Sequence, residues 1–150
     1  MSNKNNNRFK SKSSDDYDRR RNNREEKIVK EELPKIVFSF KDIDIGQIPP
    51  GQSYLEWQNQ GTLSIMVDKL GQICQYNITE AQQLGMLTVY GNFPPKSDFK
   101  HPKHINEKVN WAVIKNIKGQ KGRLAGHIIM NVFYIVFLDM NHKFYITEKK

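Results

Sequence analysis

The sequence has little cysteine and no long apolar run. Its single cysteine, Cys74, excludes an internal disulfide and is consistent with a reducing compartment. Because Cys74 lies in an apolar stripe, we interpret it as a buried thiol rather than a nucleophile. The apolar run VFYIVFL, residues 132–138, is far shorter than the ~20 residues that a membrane-spanning helix needs, and the N-terminus lacks the apolar segment of a signal peptide. We therefore expect a soluble cytoplasmic protein with no membrane partner.

Several motifs of enzymes and metal sites are also absent. The chain contains no Walker-type loop, no GxSxG and no HExxH. The segment HPKH, His101 to His104, has a spacing found among metal ligands, but neither a cysteine partner nor a second pair follows it. The sequence therefore predicts no metal and no cofactor.

Positive charge is abundant and unevenly placed. The net charge is +8, and residues 1–30 contain 10 basic and 5 acidic side chains. Residues 31–95 are net acidic, whereas residues 96–123 contain 8 basic and 2 acidic side chains. A basic tail together with a basic segment indicates a polyanionic partner, most simply RNA or DNA. Solubility alone is the other explanation for this charge.

Composition divides the chain into a tail and one domain. Residues 1–30 are rich in Asn, Ser, Arg and Lys and offer almost nothing to bury, so they cannot recover the entropy lost on ordering. We predict a disordered basic tail at 1–30 and a single domain at 31–150, a length suited to one hydrophobic core.

The first half of this domain reads as a strand followed by two helices. Lys35 to Ile45 alternates between apolar and polar residues, as a strand with one apolar face does. Between 53 and 76 the pattern becomes helical, and apolar residues from Leu63 to Cys74 recur at the three-and-four spacing of an amphipathic helix. Gly61 is expected to interrupt or precede this helix, with Thr62 as a possible N-cap. A second, shorter helix is predicted to begin at Thr79, with Gln82 completing a capping box, and to stop at Gly85.

The second half reads as a long connection, Met86 to Lys108, followed by three strands. These are predicted at Val109–Lys118, Arg123–Met130 and Val132–Asp139, with GQKG as a hairpin turn. VFYIVFL is apolar on both sides, which indicates a central strand covered on both faces. The predicted fold class is α+β: an N-terminal strand, a helical hairpin, and a three-stranded antiparallel meander that completes one sheet.

Groups that handle protons and phosphates follow the apolar run. The end of the last strand should lie beside the start of its antiparallel neighbour, Arg123, so that Arg123, His142 and Tyr145 gather at one end of the sheet. Arginine can hold a phosphate, histidine can move a proton near neutral pH, and tyrosine can stack on a base. A structural reading stays open, in which Arg123 pairs with Asp139 across the sheet and His127 is a hydrogen-bonded strand histidine.

The element order, the Arg-led strand RLAGHII, the apolar strand VFYIVFL and the closing NHKFY resemble the RelE/YoeB superfamily of bacterial toxins. This resemblance implies a metal-independent endoribonuclease that acts on mRNA, free or on the ribosome, with a cognate antitoxin as protein partner. Arg123 then matches the phosphate-holding arginine, His142 or Lys143 the closing basic group, and Tyr145 the final aromatic. The basic residues along the RNA path would be Lys115, Lys118 and Lys121, together with Lys143. The alternative function is a non-catalytic module that binds RNA or protein through the segment 96–123 and the tail.

Overall fold

One mixed five-stranded sheet organises the part of the chain that this computed structural model describes, residues 33–146. The predicted tail, 1–30, and the last four residues lie outside this range. The described residues from Lys35 to Ile146 belong to a single compact unit. The predicted α+β class is confirmed, since helices and one sheet share this unit.

The strands follow the order β1-β5-β4-β3-β2 across the sheet. Neighbours from β2 to β5 are antiparallel, whereas β1 pairs in parallel with β5. The meander therefore has four strands, and the prediction of three is wrong, because the first lies inside the predicted connection Met86 to Lys108. The strands are β1 (Val37–Ser39), β2 (Leu87–Gly91), β3 (Asn110–Ile114), β4 (Arg123–Ile129) and β5 (Val132–Asp139).

Strand β1 is shorter than the predicted Lys35 to Ile45. Ile36 is buried and Phe38 packs against the same core, but Phe40 is half exposed because the chain turns just after β1. The turn takes Asp42 towards β4, where its carboxylate contacts His127. The apolar alternation therefore predicted the strand correctly and its end incorrectly.

Three helices replace the predicted hairpin of two: α1 (Tyr54–Asn59), α2 (Leu63–Ile73) and α3 (Ile78–Gln83). Gly61, at a φ of 70°, lies between α1 and α2, where its left-handed backbone interrupts the helical path. The predicted cap at Thr79 is wrong. Asn77 caps α3, accepting a hydrogen bond from the Glu80 N–H at 2.9 Å and donating its own N–H to the Glu80 carboxylate at 3.1 Å.

The sheet is covered on both faces, but by different kinds of structure. The helices supply Trp57, Met66 and Leu70 to one face, where they pack with Phe133 and Ile135 of β5. The other face is covered by the connection 92–109 and by the closing segment, residues 140–146. Its core includes Phe99, Trp111, Phe137 and Phe144. The prediction that VFYIVFL is a central strand covered on both faces is confirmed.

The β4 and β5 strands approach each other closely at a bulge beside Gly126. The register shifts between Ala125 and Gly126, so that Ala125 pairs with Phe137 and Gly126 with Ile135. A Cβ atom at Gly126 would overlap the carbonyl oxygen of Tyr134 and the ring of Phe133. Only glycine fits here, and opposite the bulge the consecutive residues Val136 and Phe137 both pack in the second core.

Candidate functional site

The candidate site lies at the end of the sheet where β4 begins and β5 ends. Arg123, the first residue of β4, pairs in register with Asp139, the last residue of β5. The Arg123 side chain is half-buried. An exposed turn precedes it and ends at Gly122, after which β4 begins. The predicted adjacency of this strand start and strand end is therefore present.

Asp139 holds the closing segment and does not form an ion pair with Arg123. Its side chain is fully buried, and its two carboxylate oxygens accept the backbone N–H groups of Lys143 at 2.8 Å and Phe144 at 2.9 Å. Among residues 33–146, no ion pair joins Arg123 to Asp139. The carboxylate thus folds the segment after β5 back over the sheet.

His142 lies within electrostatic range of both groups. Burial, and then the positive charge of Arg123, lower the pKa of His142 from its ordinary value of 6.5, whereas Asp139 acts in the opposite direction. The backbone at His142 has a φ of 57°, which places this residue at the tight turn of the closing segment. A half-buried imidazole that is neutral at pH 7 can accept a proton from a substrate.

Tyr145 stacks on a second tyrosine that the sequence interpretation missed. The rings of Tyr145 and Tyr90 are parallel within 13°, with centroids 4.2 Å apart. Burial raises the pKa of the Tyr90 phenol, nearby Arg123 lowers it, and Tyr145 raises it. Tyr90 comes from β2, and the alternation of LTVYG was the signal that could have found it.

The four predicted RNA-binding lysines occupy the same end of the sheet in different settings. Lys118 and Lys121 are exposed in the β3–β4 turn, where the Lys118 ammonium donates to the carbonyl of Gln60 at 2.8 Å. Lys115 is half-buried directly after β3. The Lys143 ammonium lies 3.8 Å from the Asp98 carboxylate, and both side chains are about half exposed. Such an exposed pair is weak and can open for a phosphate.

None of the protein-family models, curated proteins or solved structures compared with this chain matches it. The resemblance to the RelE/YoeB superfamily consequently stays a prediction from the sequence. Within residues 33–146, no helix is long and apolar enough to cross a membrane. The same range has no group of three or more His, Cys, Asp or Glu side chains placed to hold a metal ion.

The histidines of HPKH make separate contacts. The ring of His101 faces the carbonyl of Pro102 through Nδ1 at 3.0 Å, and that of His104 faces the carbonyl of Asp42 through Nε2 at 3.0 Å. Cys74 is half-buried, and burial raises the pKa of its thiol, which disfavours the reactive thiolate. The chemistry therefore concentrates on Arg123, His142 and the tyrosine pair.

Proposed function

We propose that this protein is a metal-independent endoribonuclease of the toxin type, which cleaves RNA through attack by the 2′-hydroxyl of the RNA. The observation that carries the proposal is the convergence of Arg123, His142 and Tyr145 at one end of the sheet. Arg123 and His142 belong to neither hydrophobic core, whereas Tyr145 contacts the second one. Tyr145 packs only at the edge of the second core.

In this mechanism, His142 accepts the proton of the 2′-hydroxyl as the 2′-oxygen attacks phosphorus. A bond forms between the 2′-oxygen and phosphorus, the bond from phosphorus to the 5′-oxygen breaks, and the leaving oxygen takes a proton from water. The products are a 2′,3′-cyclic phosphate and a free 5′-hydroxyl. Arg123 holds the phosphate and stabilises the negative charge of the transition state. The lowered pKa of His142 supports its role as the base.

The tyrosine pair and the lysines would position the RNA. An outer face of the Tyr90–Tyr145 stack can receive an unpaired base, an interaction typical of single-stranded RNA recognition. The phosphates on either side of that base would be contacted by Lys115, Lys118, Lys121 and Lys143. The proposed substrate is therefore single-stranded mRNA in the cytoplasm, free or on the ribosome, and the family resemblance implies an antitoxin protein as partner.

The test is cleavage of a labelled single-stranded RNA by the purified full chain, with and without ribosomes. We expect His142→Ala and Arg123→Ala each to lower the cleavage rate by about 10²–10³-fold while circular dichroism stays unchanged. His104→Ala removes an exposed histidine outside the site and serves as the matched control, with the wild-type rate. The wild-type rate should rise with pH through the pKa of His142, which lies below 6.5.

Full activity in both site variants would show that these residues do not perform the reaction. If the wild-type chain binds RNA but does not cut it even with ribosomes, the protein is the non-catalytic binding module. Binding should then weaken steeply with salt, because lysines displace counterions from phosphates. The triple variant Lys115→Glu, Lys118→Glu and Lys121→Glu should weaken that binding, and unchanged binding would remove RNA as the ligand.

A further inference from the structure

A second cluster of polar rings lies inside the core that faces away from the helices. It consists of His127 on β4, Trp111 on β3 and His101 in the connection 92–109. The centroid of the Trp111 ring is 6.0 Å from that of His127 and 5.4 Å from that of His101. His127 is 3% exposed and Trp111 is fully buried. These rings take no part in the proposed cleavage.

The hydrogen bonds of the two histidines fix which ring nitrogen carries the proton. His127 Nε2 lies 2.9 Å from the Asp42 carboxylate, and His101 Nδ1 lies 3.0 Å from the Pro102 carbonyl. Carboxylate and carbonyl oxygens accept hydrogen bonds, so both of these nitrogens must donate. In the neutral rings, His127 Nδ1 and His101 Nε2 are therefore bare acceptors.

Three buried polar atoms of this cluster need a partner. Within residues 33–146, no hydrogen bond is made by His127 Nδ1, His101 Nε2 or the Trp111 Nε1–H group. A buried polar atom without a hydrogen bond costs about 1–3 kcal/mol, and native proteins rarely contain three together. The set comprises two acceptors and one donor, which is the complement of one water molecule that donates twice and accepts once. A metal ion would satisfy the imidazoles but leave the indole N–H unpaired.

We propose that His101, His127 and Trp111 form an internal site for one water molecule, and that this site is an acid-sensitive latch that holds the connection 92–109 on the sheet. The latch requires both imidazoles to be neutral. A proton on His127 Nδ1 or His101 Nε2 converts an acceptor into a donor, and the water can no longer satisfy all three groups. The connection then loses one of its polar attachments to the sheet.

The surroundings of His127 decide how readily it takes that proton. Asp42 contacts it from the turn after β1, Tyr134 of β5 stacks on it with ring centroids 4.7 Å apart, and His101 faces it from the connection. Lys41 lies 3.5 Å from the Asp42 carboxylate. Burial lowers the pKa of His127, the hydrogen bond and charge of Asp42 raise it, and Lys41 and His101 lower it. The neutral form of His127 is therefore favoured at neutral pH.

The connection also supports the closing segment. The backbone N–H of Asp98 donates to the carbonyl of Lys143 at 2.9 Å, and Phe99 packs against Phe144. Opening of the connection on acidification should thus loosen the segment that carries His142. This last consequence rests on the proposed function, whereas the water site and its latch do not.

The test is nuclear magnetic resonance of the isotope-labelled full chain at about pH 7.5, where histidines are neutral. We expect the Nε2–H tautomer for His127, the Nδ1–H tautomer for His101, and a cross-peak between the Trp111 indole proton and a long-lived water. The opposite tautomer in either histidine, or no such water, would overturn the proposal. A change in the chemical shifts of both histidine rings on addition of Zn²⁺ would overturn the proposal in favour of a metal site.

The latch is tested by amide exchange at about pH 5.5, with each rate normalised to its intrinsic value at that pH. We expect the water cross-peak to disappear and protection of residues 99–105 to fall about tenfold from its value at neutral pH. His101→Phe keeps a ring against Trp111 and should remove most of this acid sensitivity, whereas the control His104→Phe should keep it. Equal acid sensitivity in wild type and His101→Phe would refute the latch, and the tautomers remain decisive if that variant does not fold.

Discussion

The carboxylate of Asp139 provides the sharpest test of how the candidate site is held together. Asp139→Ala leaves the N–H groups of Lys143 and Phe144 without acceptors, and the Phe144 bond is buried while the Lys143 bond is partly buried. An unsatisfied buried donor costs about 1–3 kcal/mol, and water can replace the acceptor only where it reaches the Lys143 N–H. We expect the variant to lose about 2–4 kcal/mol of its free energy of unfolding. For a domain of this size, the melting temperature should fall by about 6–20 °C.

Urea unfolding and calorimetry measure this loss, and amide exchange locates it. Protection of the Lys143 and Phe144 amides should fall in Asp139→Ala, and Asp139→Asn should lie between the variant and wild type, because its amide oxygen accepts one bond. Asp98→Ala is the matched control, since it removes a half-exposed carboxylate 3.8 Å from the Lys143 ammonium, an interaction worth about 1 kcal/mol at most. If Asp139→Ala stayed within 1 kcal/mol of Asp98→Ala, the buried carboxylate would not be what holds the closing segment.

Two further predictions concern the packing of the sheet and its response to acid. Gly126→Ala should cost about 1–3 kcal/mol or more, or prevent folding, because the new methyl group overlaps the Tyr134 backbone. Gly71→Ala in the open surface of α2 should instead gain about 0.5–1 kcal/mol. Equal melting temperatures of the two variants would contradict the close approach at the bulge. The folded-state pKa values of His127 and His142 both lie below 6.5, so the unfolded chain binds more protons on acidification. The free energy of unfolding should therefore decrease as the pH falls from 6.5 towards those values, and urea midpoints that rise over this window would contradict the prediction.

Local patterns predicted some strands and helices closely and missed others. The bounds of β4 and β5 were predicted within one residue, because the turn GQKG precedes β4 and the continuous apolar run VFYIVFL forms β5. Strand β2 was missed because LTVYG is short and lies directly after a helix. The start of α2 was predicted, since Gly61 was expected to interrupt or precede the helix and Thr62 to cap it. The separate helix α1 was missed, because its six residues are too few to show an apolar stripe.

The candidate site was predicted where neighbours in sequence are also neighbours in space. The adjacency of Arg123 and Asp139 follows from antiparallel pairing of consecutive strands, and the closing segment necessarily begins there. The actual role of Asp139 was not predictable, since its hydrogen bonds depend on the chain folding back after β5. The contacts of Tyr90 with Tyr145 and of Asp42 with His127 join distant segments of the chain. The alternation of LTVYG could have indicated the strand that carries Tyr90, but no local pattern identifies which residues such a strand contacts.

The parallel pairing of β1 with β5 has a consequence for the kinetics of folding. Strands β2 to β5 can assemble through successive neighbouring hairpins, whereas β1 must wait for β5, the last strand of the described chain. Closing that long loop is entropically unfavourable until the meander exists, so β1 should dock after the rate-limiting step. Substitutions in β1 should then accelerate unfolding and leave the folding rate nearly unchanged. Asp42 follows β1 in the chain, so His127 would acquire its carboxylate partner only in the final stage of folding.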